Sequence, residues 1–100
     1  MISINTRKKL ISRLLQQNRK MDICVHGNSM NPLLKDGDKI TIFIADEVKP
    51  GNIVLWARKN GLGILLHRVI AEYEGVYITK GDNLKTLDYP ITRDDIMGIY

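Results

Sequence analysis

The chain contains a serine, a histidine and two acids whose combination could carry out nucleophilic catalysis. Ser29, His67, Asp82 and Asp88 follow one another in that order in a chain of 100 residues. A serine hydroxyl becomes an effective nucleophile when a base takes its proton, and a carboxylate can hold that base in the correct tautomer. These residue types are therefore those of a serine hydrolase.

Each of these residues also has a simpler structural interpretation. Pro32 suits the first turn of a short helix, so Ser29 is either that helix's N-cap or a nucleophile near backbone N–H groups that stabilise an oxyanion. A histidine in an apolar strand, such as His67, can be a hydrogen-bonded core residue. Asp82 lies in a Gly-Asp-Asn sequence that is typical of turns.

The order of five short motifs resembles the catalytic core of the signal peptidase and LexA-like serine peptidases, the S26/S24 superfamily. The resemblance covers Val25 to about Ile99, and Asn52 replaces the aspartate usual at its position. The motifs are Ser29-Met30-Asn31-Pro32, Asp36-Gly37-Asp38, Pro50-Gly51-Asn52-Ile53-Val54, His67-Arg68-Val69 and Gly81-Asp82-Asn83.

The resemblance implies roles for the four residues. Ser29 matches the nucleophile, and His67 occupies the slot that holds the general base. That base is lysine in bacterial-type signal peptidases and LexA-like proteins, but histidine in the endoplasmic-reticulum and archaeal types. The chain therefore resembles the Ser-His branch, which has acids at both remaining positions; we predict that Asp88 orients His67 and that Asp82 braces the site.

The resemblance also implies how a substrate is held. We predict that Gly27, Asn28 and Met30 contact it. Because position 27 lacks the hydroxyl residue found in many bacterial signal peptidases, the oxyanion hole is expected to consist of backbone N–H groups, chiefly that of Ser29. His26 matches no motif and is expected at the surface or at the rim of the substrate site.

The resulting hypothesis is a soluble serine endopeptidase of signal-peptidase type. It would bind an extended peptide and cleave a leader or precursor after a small residue. The alternatives are a LexA-like self-cleaving regulator fragment and a non-catalytic peptide-binding module of the same fold. A LexA-like regulator would need a DNA-binding domain and an Ala-Gly or Cys-Gly bond before Ser29, and the sequence shows neither.

The hydrophobic pattern predicts a mainly β fold, a small coiled, barrel-like domain of antiparallel strands over residues 21–100. Residues 1–20 hold an amphipathic helix from about Thr6 to Asn18, capped by Asn5 or Thr6, that packs on or flanks this domain. The strands are expected at 22–25, 39–44, 53–57, 64–70, 75–79 and 96–99, with a hairpin loop at 60–63. Tyr100 ends the chain where a closing strand should continue, which predicts either truncation or a minimal family member.

Composition limits the partners and the location. The formal net charge is +4, with six basic residues before Asp22. These predict a solvated helix face, with an anionic membrane surface or an acidic substrate as alternatives; no nucleic acid is expected without interleaved aromatic residues. A homodimer is a further alternative. The sequence shows neither an apolar run of about 18 residues nor a signal peptide, which predicts a cytoplasmic or peripheral membrane protein.

The cysteine and histidine content argues against covalent cross-links and metals. One cysteine, Cys24, excludes an intrachain disulfide, and its apolar neighbours predict a buried position. Two histidines and one cysteine lack the spacing of zinc ligands, so no metal or other cofactor is expected.

Overall fold

The computed structural model describes residues 3–58 and 63–100, and over these the chain forms one α-helix, one 3-10 helix and one antiparallel sheet. The elements are α1 (Ile4–Asn18), β1 (Lys20–Cys24), β2 (Lys39–Phe43), β3 (Ile53–Ala57), β4 (Ile64–Tyr73), β5 (Val76–Lys80), β6 (Ile91–Thr92), a 3-10 helix (Arg93–Asp95) and β7 (Ile96–Ile99). The sheet order is β1-β2-β7-β3-β4-β5-β6. The predicted mainly β class is confirmed. Residues 60–62 of the predicted hairpin loop lie outside the described residues.

The central strand β3 explains why the sheet has apolar side chains on both faces. All five of its residues are buried, as expected for an uninterrupted apolar run covered on both sides. Ile53, Leu55 and Ala57 join one core cluster with residues of α1, while Val54 and Trp56 join a second cluster on the opposite face. His67 of β4 pairs directly with Val54, so its side chain shares the face of the second cluster.

The helix α1 packs on the sheet through a narrow apolar stripe. Leu15 is buried in the first core cluster, and Ile11 packs against it. The helix begins two residues earlier than predicted, because the side chain of Ser3 accepts a hydrogen bond from the Thr6 N–H and serves as the N-cap. The predicted caps Asn5 and Thr6 were therefore wrong. No helix in the described part of the chain is long and apolar enough to cross a membrane.

The edge strand β1 corrects the prediction for Cys24. Met21 and Ile23 alternate inward on this strand, which leaves Lys20, Asp22 and Cys24 on its exposed side. The side chains of the apolar neighbours of Cys24 therefore point to the opposite face of the strand, and Cys24 does not share their buried face.

The packing of α1 can be tested with two adjacent leucines. Leu15 is 1% exposed and Leu14 is 42% exposed. Leu15→Ala should lower the free energy of unfolding by about 2–5 kcal/mol, because it leaves a cavity between helix and sheet. Leu14→Ala, with the same change in helix propensity, should cost less than about 1 kcal/mol. Urea unfolding of both variants measures this, and equal losses would contradict the described packing.

Candidate functional site

Ser29 lies in the connection from β1 to β2, in a series of turns rather than the predicted short helix. The Asn31 N–H donates to the Asn28 carbonyl (3.2 Å) and the Leu34 N–H to the Met30 carbonyl (3.0 Å). Pro32 cannot donate a hydrogen bond, and the Asp36-Gly37-Asp38 turn follows after four residues, so the helix has no room to continue. We call residues 27–34 the Ser29 turn.

The Asp36-Gly37-Asp38 motif holds the start of this turn. Gly27 has a φ of 82° and donates its N–H to Asp36 Oδ1 at 2.7 Å. Among the described residues, the N–H groups of Asn28, Ser29 and Met30 donate to no protein acceptor. The free donors therefore lie at Ser29 and its two neighbours, whereas the Gly27 N–H is already used.

Met30 lies inside the protein. Its side chain is 1% exposed and belongs to the first core cluster, where Sδ accepts the Asp82 N–H at 3.4 Å. The side chain anchors the Ser29 turn to the core. Of the three residues predicted to contact substrate, Gly27 and Asn28 are exposed, and Met30 can offer only its backbone without repacking.

His67 is buried on β4 and contacts Asp88. His67 Nδ1 lies 2.6 Å from Asp88 Oδ2, and the same oxygen accepts the Thr79 hydroxyl at 2.7 Å. An ionised carboxylate only accepts hydrogen bonds, so beside an ionised Asp88 the ring donates from Nδ1, and in a neutral ring of that tautomer Nε2 has the free lone pair. Among the described residues, the buried side-chain polar atoms that lack a hydrogen-bond partner are Asn31 Oδ1 and Trp56 Nε1. Neither nitrogen of the His67 ring is among them, so neither is both buried and unpaired.

Asp82 has a different partner, Arg68. The guanidinium donates from Nε to Oδ1 and from a terminal nitrogen to Oδ2, both at 2.8 Å, and its other terminal nitrogen donates to the Gly51 carbonyl. The hydrogen bonds from Arg68 hold the pKa of the Asp82 carboxyl below its usual value, and those to Asp82 raise the pKa of Arg68. Asp82 thus fastens its turn to β4 beside His67.

The turn at Gly81-Asp82-Asn83 also contacts the Ser29 turn. The Asn83 N–H donates to the Ser29 carbonyl at 2.8 Å, and the Asn83 side-chain amide donates to the Asn28 carbonyl at 3.0 Å. A Cβ on Gly81 would stand 2.8 Å from the Ser29 carbonyl oxygen, so only glycine allows this approach. Two backbone segments more than 50 residues apart in sequence therefore meet at Ser29.

These contacts link the predicted residues through the backbone. Ser29 is tied to the Gly81 turn, that turn is tied through Asp82 to Arg68, and Arg68 adjoins His67 on β4. Because neighbouring side chains on a strand point to opposite faces, this link fixes the backbone of β4 and not the direction of the His67 ring. No hydrogen bond joins Ser29 Oγ to the His67 ring within the described residues, so that pairing stays a prediction. His26, expected at the surface, is exposed.

Sequence reasoning missed two residues of the site. Thr79 was seen only as part of a strand, although a buried threonine in a strand needs a hydrogen-bond partner. The sequence analysis names Asn83 in a motif but gives it no role in the site. That motif is the feature from which its role could have been predicted. The sequence analysis names Arg68 only within its motif, and the contacts of Arg68 fix the position of Asp82.

The family comparison adds independent information. A family model described as Peptidase S24-like matches residues 3–99. No curated protein matches the chain.

The Arg68–Asp82 pair should make stability depend on acid pH. Because the folded pKa of Asp82 lies below its unfolded value, the pair stabilises the fold above that unfolded value and is lost as pH falls through the folded pKa. Arg68→Met should therefore lower the free energy of unfolding by about 1–3 kcal/mol at neutral pH. The difference from wild type should shrink below about pH 4.

Urea unfolding between pH 7 and acid pH measures this difference. Lys49→Met is the matched control, because the exposed pair that it breaks, Lys49 Nζ to Glu47 at 3.7 Å, should contribute little. A difference between wild type and Arg68→Met that stays constant over the pH range would contradict the coupling.

Proposed function

The chain belongs to the Peptidase S24-like family, and on that premise we propose that it is a serine endopeptidase of signal-peptidase type. In this proposal Ser29 is the nucleophile, His67 the general base and Asp88 the acid that orients the base. The observation that carries the proposal is the 2.6 Å contact between His67 Nδ1 and Asp88 on a buried strand. It leaves Nε2 as the nitrogen able to take a proton from a serine.

The proposed reaction is acyl transfer to Ser29. Ser29 Oγ attacks the scissile carbonyl carbon while its proton passes to His67 Nε2, and the developing oxyanion is stabilised by backbone N–H groups of the Ser29 turn. The intermediate then collapses, the C–N bond breaks, and the imidazolium gives its proton to the leaving amine. Water attacks the acyl ester with His67 again acting as base, which releases the second product and restores the hydroxyl.

The sheet topology supports an extended peptide as the substrate. β1 lies at one edge of the sheet, with β2 as its neighbour in the sheet order, and the chain runs from Cys24 at its end to Ser29 in five residues. An edge strand presents unpaired N–H and C=O groups that can bind a peptide by adding a strand. We propose that a leader or precursor peptide binds in this way and is cleaved after a small residue.

The peptidase activity can be tested on a mixture of proteome-derived peptides, with new termini identified by mass spectrometry. Wild-type protein should generate termini that follow small residues, and Ser29→Ala should abolish them. His67→Gln, which preserves bulk and a donor for Asp88, should lower the rate by several orders of magnitude because nucleophile and base act as a unit.

The matched controls are Ser12→Ala on α1 and His26→Ala at the surface, which should both keep wild-type activity. Cleavage that survives in Ser29→Ala would refute the proposal. Absence of cleavage by a folded wild-type protein across the mixture would favour the non-catalytic binding module instead.

Substitutions of the two acids should differ in their effects on activity and on stability. Asp88→Asn should reduce the rate by about 1,000- to 10,000-fold with a small change in melting temperature, because an amide can select the wrong imidazole tautomer and cannot stabilise the imidazolium. Asp82→Asn should lower the melting temperature more, since it weakens the bidentate contact with Arg68.

Initial rates and thermal unfolding of both variants provide the measurement, with exposed Asp46→Asn as the control. A stable but inactive Asp82→Asn beside a destabilised, active Asp88→Asn would move the orienting role to Asp82.

A further inference from the structure

We propose that Thr79 is a positioning residue that fixes the carboxylate of Asp88 against His67. This inference rests on the proposed function for its effect on rate, but the hydrogen-bond chain itself can be tested without catalysis. Thr79 is 0% exposed on β5, and its Oγ1 donates to Asp88 Oδ2 at 2.7 Å. The same oxygen lies 2.6 Å from His67 Nδ1.

The strand register places Thr79 where it can act on this contact. Thr79 pairs with Val69 across β4 and β5, and His67 precedes Val69 by two residues on the same face of β4. Thr79 and His67 are therefore diagonal neighbours across the two strands. Asp88 inserts its carboxylate between them, so one donor comes from each strand.

Thr79 also holds the backbone of Asp88. The Asp88 N–H donates to the Thr79 carbonyl at 2.9 Å, which closes the loop from 80 to 87. The side-chain hydrogen bond then restricts rotation about the Cα–Cβ and Cβ–Cγ bonds of Asp88, the two rotations that move Oδ2. Without the hydroxyl, the loop would still close, but Oδ2 would have a single donor and could turn away from His67.

The loop that Thr79 closes has its own hydrogen bonds. Lys80 Nζ donates to the carbonyls of Gly81 and Leu84, and the Leu84 N–H donates to the Gly81 carbonyl. A substitution that removes the Thr79 hydroxyl alone therefore leaves the backbone path to Asp88 supported. This separates an effect on carboxylate orientation from an effect on the loop.

A purely structural interpretation of Thr79 is that its hydroxyl is simply satisfied in the core. That interpretation predicts a loss of stability and no specific dependence on Asp88. The positioning interpretation predicts that the effect of removing the hydroxyl disappears when Asp88 can no longer act on His67.

The experiment uses Thr79→Val, which removes the hydroxyl at similar volume, and Thr79→Ser, which retains it. Each change is made in the wild type and in Asp88→Asn, and kcat and KM are measured on one peptide identified from the mixture. Thr79→Val should lower kcat by about tenfold, the scale of one hydrogen bond to a charged group, with KM unchanged. Thr79→Ser should restore most of the rate, and Thr79→Val should cause no further loss in Asp88→Asn.

The matched control is Thr41→Val on β2, which removes a strand hydroxyl donating to Asp22 Oδ1 at 2.7 Å and should leave kcat unchanged. An equal loss from Thr79→Val in both backgrounds, or an unchanged kcat in the wild-type background, would overturn the positioning role. A loss of stability alone would lower the melting temperature but would not make the effect of Thr79→Val on kcat depend on Asp88.

A spectroscopic measurement keeps the test independent of turnover. The proton on His67 Nδ1 should give a downfield NMR resonance, assigned by its loss in His67→Gln. Thr79→Val should broaden this resonance or move it upfield, and Thr79→Ser should retain it. An unchanged resonance in Thr79→Val would refute the inference even if the protein cleaves peptides. The expected change in a protein without peptidase activity would support the hydrogen-bond chain and refute the proposed function.

Discussion

The candidate site depends on the close approach of two backbone turns, one containing Ser29 and the other Gly81. The Asn83 N–H donates to the Ser29 carbonyl, and the absence of a side chain at Gly81 lets the two segments come together. Any larger residue at position 81 would place its Cβ within 2.8 Å of the Ser29 carbonyl oxygen. The position of Ser29 relative to the loop that ends at Asp88 is therefore set by backbone contacts.

The two acids have separate structural tasks because their partners differ. Asp82 is neutralised by the guanidinium of Arg68 in a bidentate contact, which is the geometry that gives arginine its specificity for carboxylates. Asp88 has no cation among its hydrogen-bond partners in the described chain, and its Oδ2 instead accepts from a hydroxyl and an imidazole. A carboxylate with neutral donors keeps its charge available to an imidazolium beside it, whereas one already paired with arginine does not.

Much of the fold could be predicted from the sequence where the residues of an element by themselves determine its structure. The bounds of β3 and β7 match the prediction, because their apolar runs reflect burial. β4 continues three residues beyond its apolar part, since exposed Ala71, Glu72 and Tyr73 become a strand by pairing with β5. β6 has only two residues, too few for a pattern, and exists through its pairing with β5.

The same distinction applies to the site. The order of motifs made Ser29, His67 and the two acids the candidates, and their roles stay predictions. Within the family resemblance Asp88 was preferred to Asp82 as the partner of His67, and Asp88 is the acid that contacts His67. The order of motifs could not reveal Thr79, because a threonine in a strand has the same local pattern whether its hydroxyl meets water, a carbonyl or a carboxylate. Nor could it place Met30 in the core, since a side chain in a turn has no periodicity that indicates its direction.

The burial of His67 has a consequence for how this site would differ from one built on lysine. Burying a lysine as a neutral base requires enough desolvation to remove its charge, which demands an apolar environment around the amine. A histidine needs instead a fixed tautomer and a partner for its second nitrogen, and both come here from one carboxylate oxygen. The polar Asp88 and Thr79 can therefore occupy the space beside His67, and the stability of their network rests on every buried donor having an acceptor.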